Sequence, residues 1–150
     1  MRLIFFIIFF LLSTPVKASD DLIINCDLNS CTKINNFEFF NEKNIAPGFS
    51  KSKTIKVQNQ RSDNCNLQFK LNQTSLSNPL SSVQMLSIFK EDTLKIAGPL
   101  NSLSDDKYHN IGNIDNNQYK VYRWTVSLDQ TLGNDYQQLN SFFDLDLNFV

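Results

Sequence analysis

The chain has 150 residues, 41% of them hydrophobic and 19% charged, with a formal net charge of −1. That length suits one domain with its own core. Acids and lysines are interspersed without a basic stripe, which argues against a nucleic-acid partner.

Met1-Arg2 is a short basic start, Leu3 to Leu12 is an unbroken apolar run, and Ser13-Thr14-Pro15 interrupts it before Val16-Lys17-Ala18. This order predicts a secretory signal peptide over residues 1–18 and a single domain over residues 19–150. A membrane anchor is the weaker reading, because ten residues of helix reach only about 15 Å of a ~30 Å hydrocarbon core. No later stretch is apolar enough to span a membrane, so the expected destination is the cell exterior, the cell surface or a periplasm.

Leu22, Ile24 and Cys26 alternate as a short strand. A second run, Ile34 to Phe40, has Phe37 and Phe39 on one face and Phe40 on the other. Asn41 to Asn44 reads as a turn, and Ile45-Ala46-Pro47-Gly48 as a tight turn before a strand. Lys53 to Gln58 points Ile55 and Val57 inward, with Lys56 and Gln58 outward. The polar loop Asn59 to Asn64 leads to the cleanest alternation, Cys65, Leu67, Phe69 and Leu71 against Asn66, Gln68 and Lys70. These two runs are expected to form a hairpin. Asn72 to Ser82 is a loop. Val83 to Phe89 fits a strand covered on both faces or a short helix, and the turn signal at Lys90 to Thr93 into Leu94-Lys95-Ile96 favours the strand. Pro99 to Asp106, with Leu100 and Leu103 three apart, is the one helix candidate.

Tyr108 to Ile114 leads by way of Asp115-Asn116-Asn117 to the strongest signals of the chain. Tyr122, Trp124, Val126 and Leu128 form one apolar face, and Phe143, Leu145, Leu147 and Phe149 another. Gly133-Asn134-Asp135 supplies turn chemistry between them, so the pair is either a hairpin or two strands joined across a sandwich. The whole pattern predicts an all-β fold: an antiparallel β-sandwich, jelly-roll or immunoglobulin-like, of seven to nine short strands and at most one short helix.

Export favours disulfides. Cys26 and Cys31 are close enough for a turn to join them, a loop worth about 2 kcal/mol in the chain-entropy picture. Cys65, on an apolar face, then reads as a buried free thiol, although its pairing with Cys26 or Cys31 stays open.

Asn44-Ile45-Ala46-Pro47-Gly48-Phe49-Ser50, followed by Lys53 to Asn59, resembles the Pro-Gly turn and strand that open the camelysin/TasA-like secreted proteins. The run Trp124 to Asp129, then Gly133-Asn134-Asp135-Tyr136-Gln137-Gln138, then Phe143 to Leu147, is similar to their closing pattern. Together these segments cover about two-thirds of residues 19–150. Phe49 replaces an acidic residue of that pattern, and Gln138 a glycine, so the likeness is to a diverged member. It implies an exported sandwich, often a biofilm-matrix fibre component, assembled when the N-terminal segment of one subunit adds as a strand to the next. Asp21, Leu22, Ile23 and Ile24 are the assembly-strand candidates, reaching a sheet edge through main-chain hydrogen bonds. The bland alternative is that Leu22 and Ile24 complete their own sheet.

Camelysin-type relatives are labelled metalloproteases, but the zinc pattern of two His four apart with a Glu between is absent, since His109 is the single histidine. His109 reads as a solvated loop residue. Gly-x-Ser-x-Gly is absent too, and the apolar alternating neighbours of Cys65 argue for an inert buried thiol over a thiolate, so a serine or cysteine nucleophile is disfavoured. The acid groups Asp105-Asp106, Asp115, and Asp144 with Asp146 raise a calcium site, which lacks the EF-hand spacing. Tyr122 and Trp124 suggest sugar stacking, though an amphipathic strand buries them more readily. Asn72-Gln73-Thr74 matches a glycosylation acceptor in a eukaryotic host.

The expected function is therefore non-enzymatic, without a cofactor or metal: a surface or matrix component whose partner is itself or another surface protein. A carbohydrate- or protein-binding module is the alternative.

Overall fold

The structure is a computed structural model that describes residues 22–28, 31–33, 39–73 and 79–150. Residues 1–18, Asp21 and Ile34 to Glu38, which bear on the expected leader, the assembly segment and the second run, lie outside the described residues.

The protein is an all-β sandwich. Its strands are β1 (Leu22–Cys26), β2 (Cys31–Lys33), β3 (Phe40–Ile45), β4 (Ser50–Asn59), β5 (Cys65–Gln73), β6 (Gln84–Lys90), β7 (Thr93–Pro99), β8 (His109–Ile114), β9 (Tyr119–Leu128) and β10 (Leu139–Phe149). One helical turn, α1 (Leu100–Leu103), and two 3-10 turns, Pro79–Ser82 and Asn134–Tyr136, complete the described elements. One sheet has the order β2-β1-β4-β9-β6-β7, and the other β3-β10-β5-β8.

The alternating runs bury the faces they advertise. Ile55 and Val57 of β4 point to the core with Tyr122, Trp124, Val126 and Leu128 of β9, and Cys65, Leu67, Phe69 and Leu71 of β5 come from the facing sheet. Trp124 is the meeting point of the two sheets. Its ring lies edge-on to Phe69 at 5.0 Å and to Phe39 at 5.2 Å. Phe40 stacks on Phe143 at 4.9 Å. Burial of one such aromatic side chain contributes about 3 kcal/mol, and its edge-to-face partners about 1 more each.

Four expectations need correction. β4 and β5 are not a hairpin; they lie in opposite sheets, and the largely exposed loop between them passes from one sheet to the other at the end of the sandwich. Two alternating runs need only face a common interior, and they do so equally well from opposite layers. β9 and β10 also lie across the sandwich, the second of the two arrangements expected for them. Asn41 to Asn44 is strand, not turn, within β3. β3 is an edge strand with only its ends buried, so β10 holds it by backbone pairing that its polar side chains do not reveal. β6 is covered on one face only: Gln84, Leu86 and Ile88 are buried, whereas Met85 is exposed. The helix is a single turn, because Ser104 directs both its amide and its hydroxyl to the Leu100 carbonyl, at 3.0 and 2.8 Å.

The turn at Pro47-Gly48 forms as expected. Gly48 has φ +85, and the Phe49 amide donates to the Ala46 carbonyl at 3.0 Å, the geometry of a turn that needs glycine at its third position. The β6–β7 hairpin also forms, turning at Glu91-Asp92.

Candidate functional site

The most built-up polar region lies at the pole of the sandwich where β1 ends, β4 ends and β5 begins. Cys26 and Cys31 form a disulfide across the β1–β2 hairpin, and Cys65 is free and buried. Asn59, fully buried, organises the crossing loop. Its Nδ2 donates to the carbonyls of Asp63, Ile114 and Asp115 at 2.8 to 3.2 Å, and its Oδ1 accepts from the Arg61 amide at 2.9 Å. A buried amide so fully engaged ties the sheets together and costs little to desolvate.

Arg61 extends from this loop. Its Nη1 lies 3.4 Å from the Cys65 sulfur, Nε donates to the Asp27 carbonyl at 3.0 Å, and Nη2 to the Leu28 carbonyl at 3.4 Å. The Cys65 contact, together with the charges of Asp63 and Asp27, holds the guanidinium above its ordinary range despite the opposing effect of desolvation. The Gln60 amide adds a bond to the Cys26 carbonyl at 2.8 Å. Spacing alone pointed to the Cys26–Cys31 pair; it carried no sign of Arg61 or Asn59, which read as ordinary loop residues.

β1 defines the second feature of this pole. It is joined to β4 by a parallel ladder, Leu22↔Ile55 through Cys26↔Asn59, and to the three-residue β2 by an antiparallel one. The remaining described ladders are antiparallel. Leu22, Ile23 and Ile24 of the assembly-strand candidate thus complete their own sheet.

The other candidates disperse. His109 is not in a loop; it opens β8, stacks against Phe69 at 5.2 Å, and places Nε2 3.1 Å from Asp105 Oδ1. Among the described residues no three His, Cys, Asp or Glu side chains converge as a metal site requires. Asp146 accepts from Asn72 Nδ2 at 2.6 Å, and Asp144 accepts from the Leu145 amide at 2.8 Å. Tyr122 and Trp124 lie in the core, where burial pushes the Tyr122 hydroxyl up to about 12. A shallow cleft of about 350 Å³ is lined by Gly48, Phe49, Ser50, Met85, Ser127, Leu128, Asp129 and Gln130.

Comparison with protein-family models, with curated proteins and with solved structures finds no match.

Proposed function

We propose that this is an exported, non-enzymatic structural protein that self-assembles at the cell surface or in an extracellular matrix by exchange of its N-terminal strand, as its resemblance to the camelysin/TasA-like proteins implies. The observation that supports this reading is the attachment of β1. The β1–β2 hairpin is stapled within itself by Cys26–Cys31 and meets the rest of the sandwich along a five-pair parallel ladder to β4, with further bonds from Gln60 and Arg61 at its turn end. Withdrawing it uncovers the β4 edge and the places filled by Leu22, Ile24 and Cys26. An equivalent hairpin from a second copy restores the same hydrogen bonds and the same burial. Such exchange leaves the contacts of the monomer unchanged, so its equilibrium is set by linker strain and concentration.

The test compares the chain beginning at Ser19 with one beginning at Asn25, by sedimentation and electron microscopy. The reading expects concentration-dependent oligomers or fibres from the first and none from the second. A disulfide-closed peptide of residues 19–33 should bind the shortened chain and block its copolymerisation. Monomers from the longer chain at every concentration would overturn the reading.

The runner-up, a binding module, draws on the cleft beside Phe49. A saturable glycan or peptide ligand on a strictly monomeric chain would favour it.

A further inference from the structure

All three cysteines of the chain gather at the Arg61 pole. Cys26 enters the core from the six-stranded sheet and Cys65 from the four-stranded one. Cys26 is 0% and Cys65 3% exposed, both belong to one apolar cluster, and the half-buried Cys31 packs against it. The Cys65 sulfur lies 3.7 Å from the Asp63 carbonyl, the contact of a protonated thiol. The Arg61 Nη1, a permanent cation and donor, stands 3.4 Å from the same sulfur. The same guanidinium grips the Asp27 and Leu28 carbonyls in the turn that the disulfide closes. One side chain therefore ties the free thiol to the loop of the disulfide.

We infer that the three cysteines form an intramolecular thiol–disulfide exchange device, in which Cys65 attacks the Cys26 sulfur and moves the covalent link from the β1–β2 hairpin to a bridge between the two sheets. The Cys65 thiol gives its proton to solvent. The thiolate forms a bond to the Cys26 sulfur, the Cys26–Cys31 bond breaks, and its electron pair leaves on Cys31, which takes a proton from water. One thiol and one disulfide exist before and after, so neither oxidant nor reductant is consumed. Cys26 is the sulfur attacked because it shares the core with Cys65, and Cys31, nearer solvent, is the better-hydrated leaving group. Bridges between facing sheets fit the geometry of β-sandwiches. The consequence rests on the strand-exchange reading: the hairpin disulfide leaves β1 free to withdraw, and the inter-sheet disulfide pins it to its own domain.

The test uses the chain beginning at Ser19, folded, dilute and monomeric. It is incubated with sub-stoichiometric reduced glutathione, quenched with acid, alkylated and mapped as peptides. The expected products are a Cys26–Cys65 peptide and an alkylated Cys31, appearing roughly tenfold more slowly in Arg61→Met, which removes the cation beside the thiolate. Folded Cys31→Ser should close the Cys26–Cys65 bridge on treatment with diamide. Retention of Cys26–Cys31 alone in the wild type throughout, or two persistent free thiols in folded Cys31→Ser, would overturn the inference. The mapping reads bonds within a monomer, so its failure leaves the assembly reading standing, and failure of assembly leaves the exchange chemistry intact.

Discussion

Asn59 is a polar side chain on which the fold depends, fully buried and bonded through both ends of its amide. It replaces water for three carbonyls and one amide at the point where the chain passes from one sheet to the other. Asn59→Ala removes all four of these bonds from a buried to part-buried site, and should cost about 3 kcal/mol, read as a lower urea midpoint with unchanged slope. A loss under about 1 kcal/mol would show that solvent reaches the loop and takes over its bonds. Asp129 acts at the surface. Its carboxylate accepts from the Thr131 amide and hydroxyl, both at 2.7 Å, and these bonds hold it below the ordinary carboxylate value of 3.8. A depressed carboxylate stabilises the fold above its unfolded value, and that contribution is lost as pH falls through the folded one. Asp129→Asn should therefore be less stable than wild type near pH 6, with the difference shrinking as pH drops below about 3.8. Denaturation midpoints at several pH values check this; a difference that does not change with pH would contradict it.

At the scale of elements, the edge strands mark where alternation stops being informative. β4, β5, β9 and β10 have one dry and one wet face, so their period-two pattern is strong. β3 lies at the edge of the four-stranded sheet and carries Asn41, Glu42, Lys43 and Asn44 between buried ends. Its Asn44 adopts φ 56, and the pairing with β10 shifts register between Leu139 and Ser141. Four polar residues with an Asn in the left-handed region look like a turn from sequence, and only the neighbouring strand makes them a ladder. The β1–β2 hairpin is the opposite case, since its staple is visible in the cysteine spacing. Replacing Cys26 and Cys31 together by Ala should lower stability by about 2 kcal/mol, the loop-entropy value for so short a ring. Thermal or urea unfolding measures it. A loss near zero would show that β2 contributes little once the bond is gone.

For the whole molecule, the two sheets are held by the aromatic contacts around Trp124 and by polar ties between layers, among them the 2.8 Å ion pair of Lys51 on β4 with Glu42 on β3. One tie is Asn59. Another is the hydrogen bond from Ser141 Oγ to Gln84 Oε1, 2.7 Å long and buried. Few partners in this arrangement are close in sequence, apart from β1 with β2 and β6 with β7. β4 pairs with β1 and β9, and β5 with β8 and β10. The parallel placement of β1 against β4 is the feature on which the assembly proposal turns, and no local pattern announces it.

The sequence by itself determined the class of fold, the inward faces of the main strands and the Pro47-Gly48 turn, and it put the hairpin disulfide forward as one of the possible cysteine pairings. Each is a local property: side-chain period, φ restriction, or the reach of a short loop. Tertiary structure alone decided which distant strands share a sheet, that the β4–β5 loop passes between the sheets, and that Arg61 brings Cys65 to the disulfide turn. Strands pair through backbone groups that are the same in nearly every residue. An alternating run therefore specifies which side is buried, while its neighbours are chosen by the packing of the whole chain.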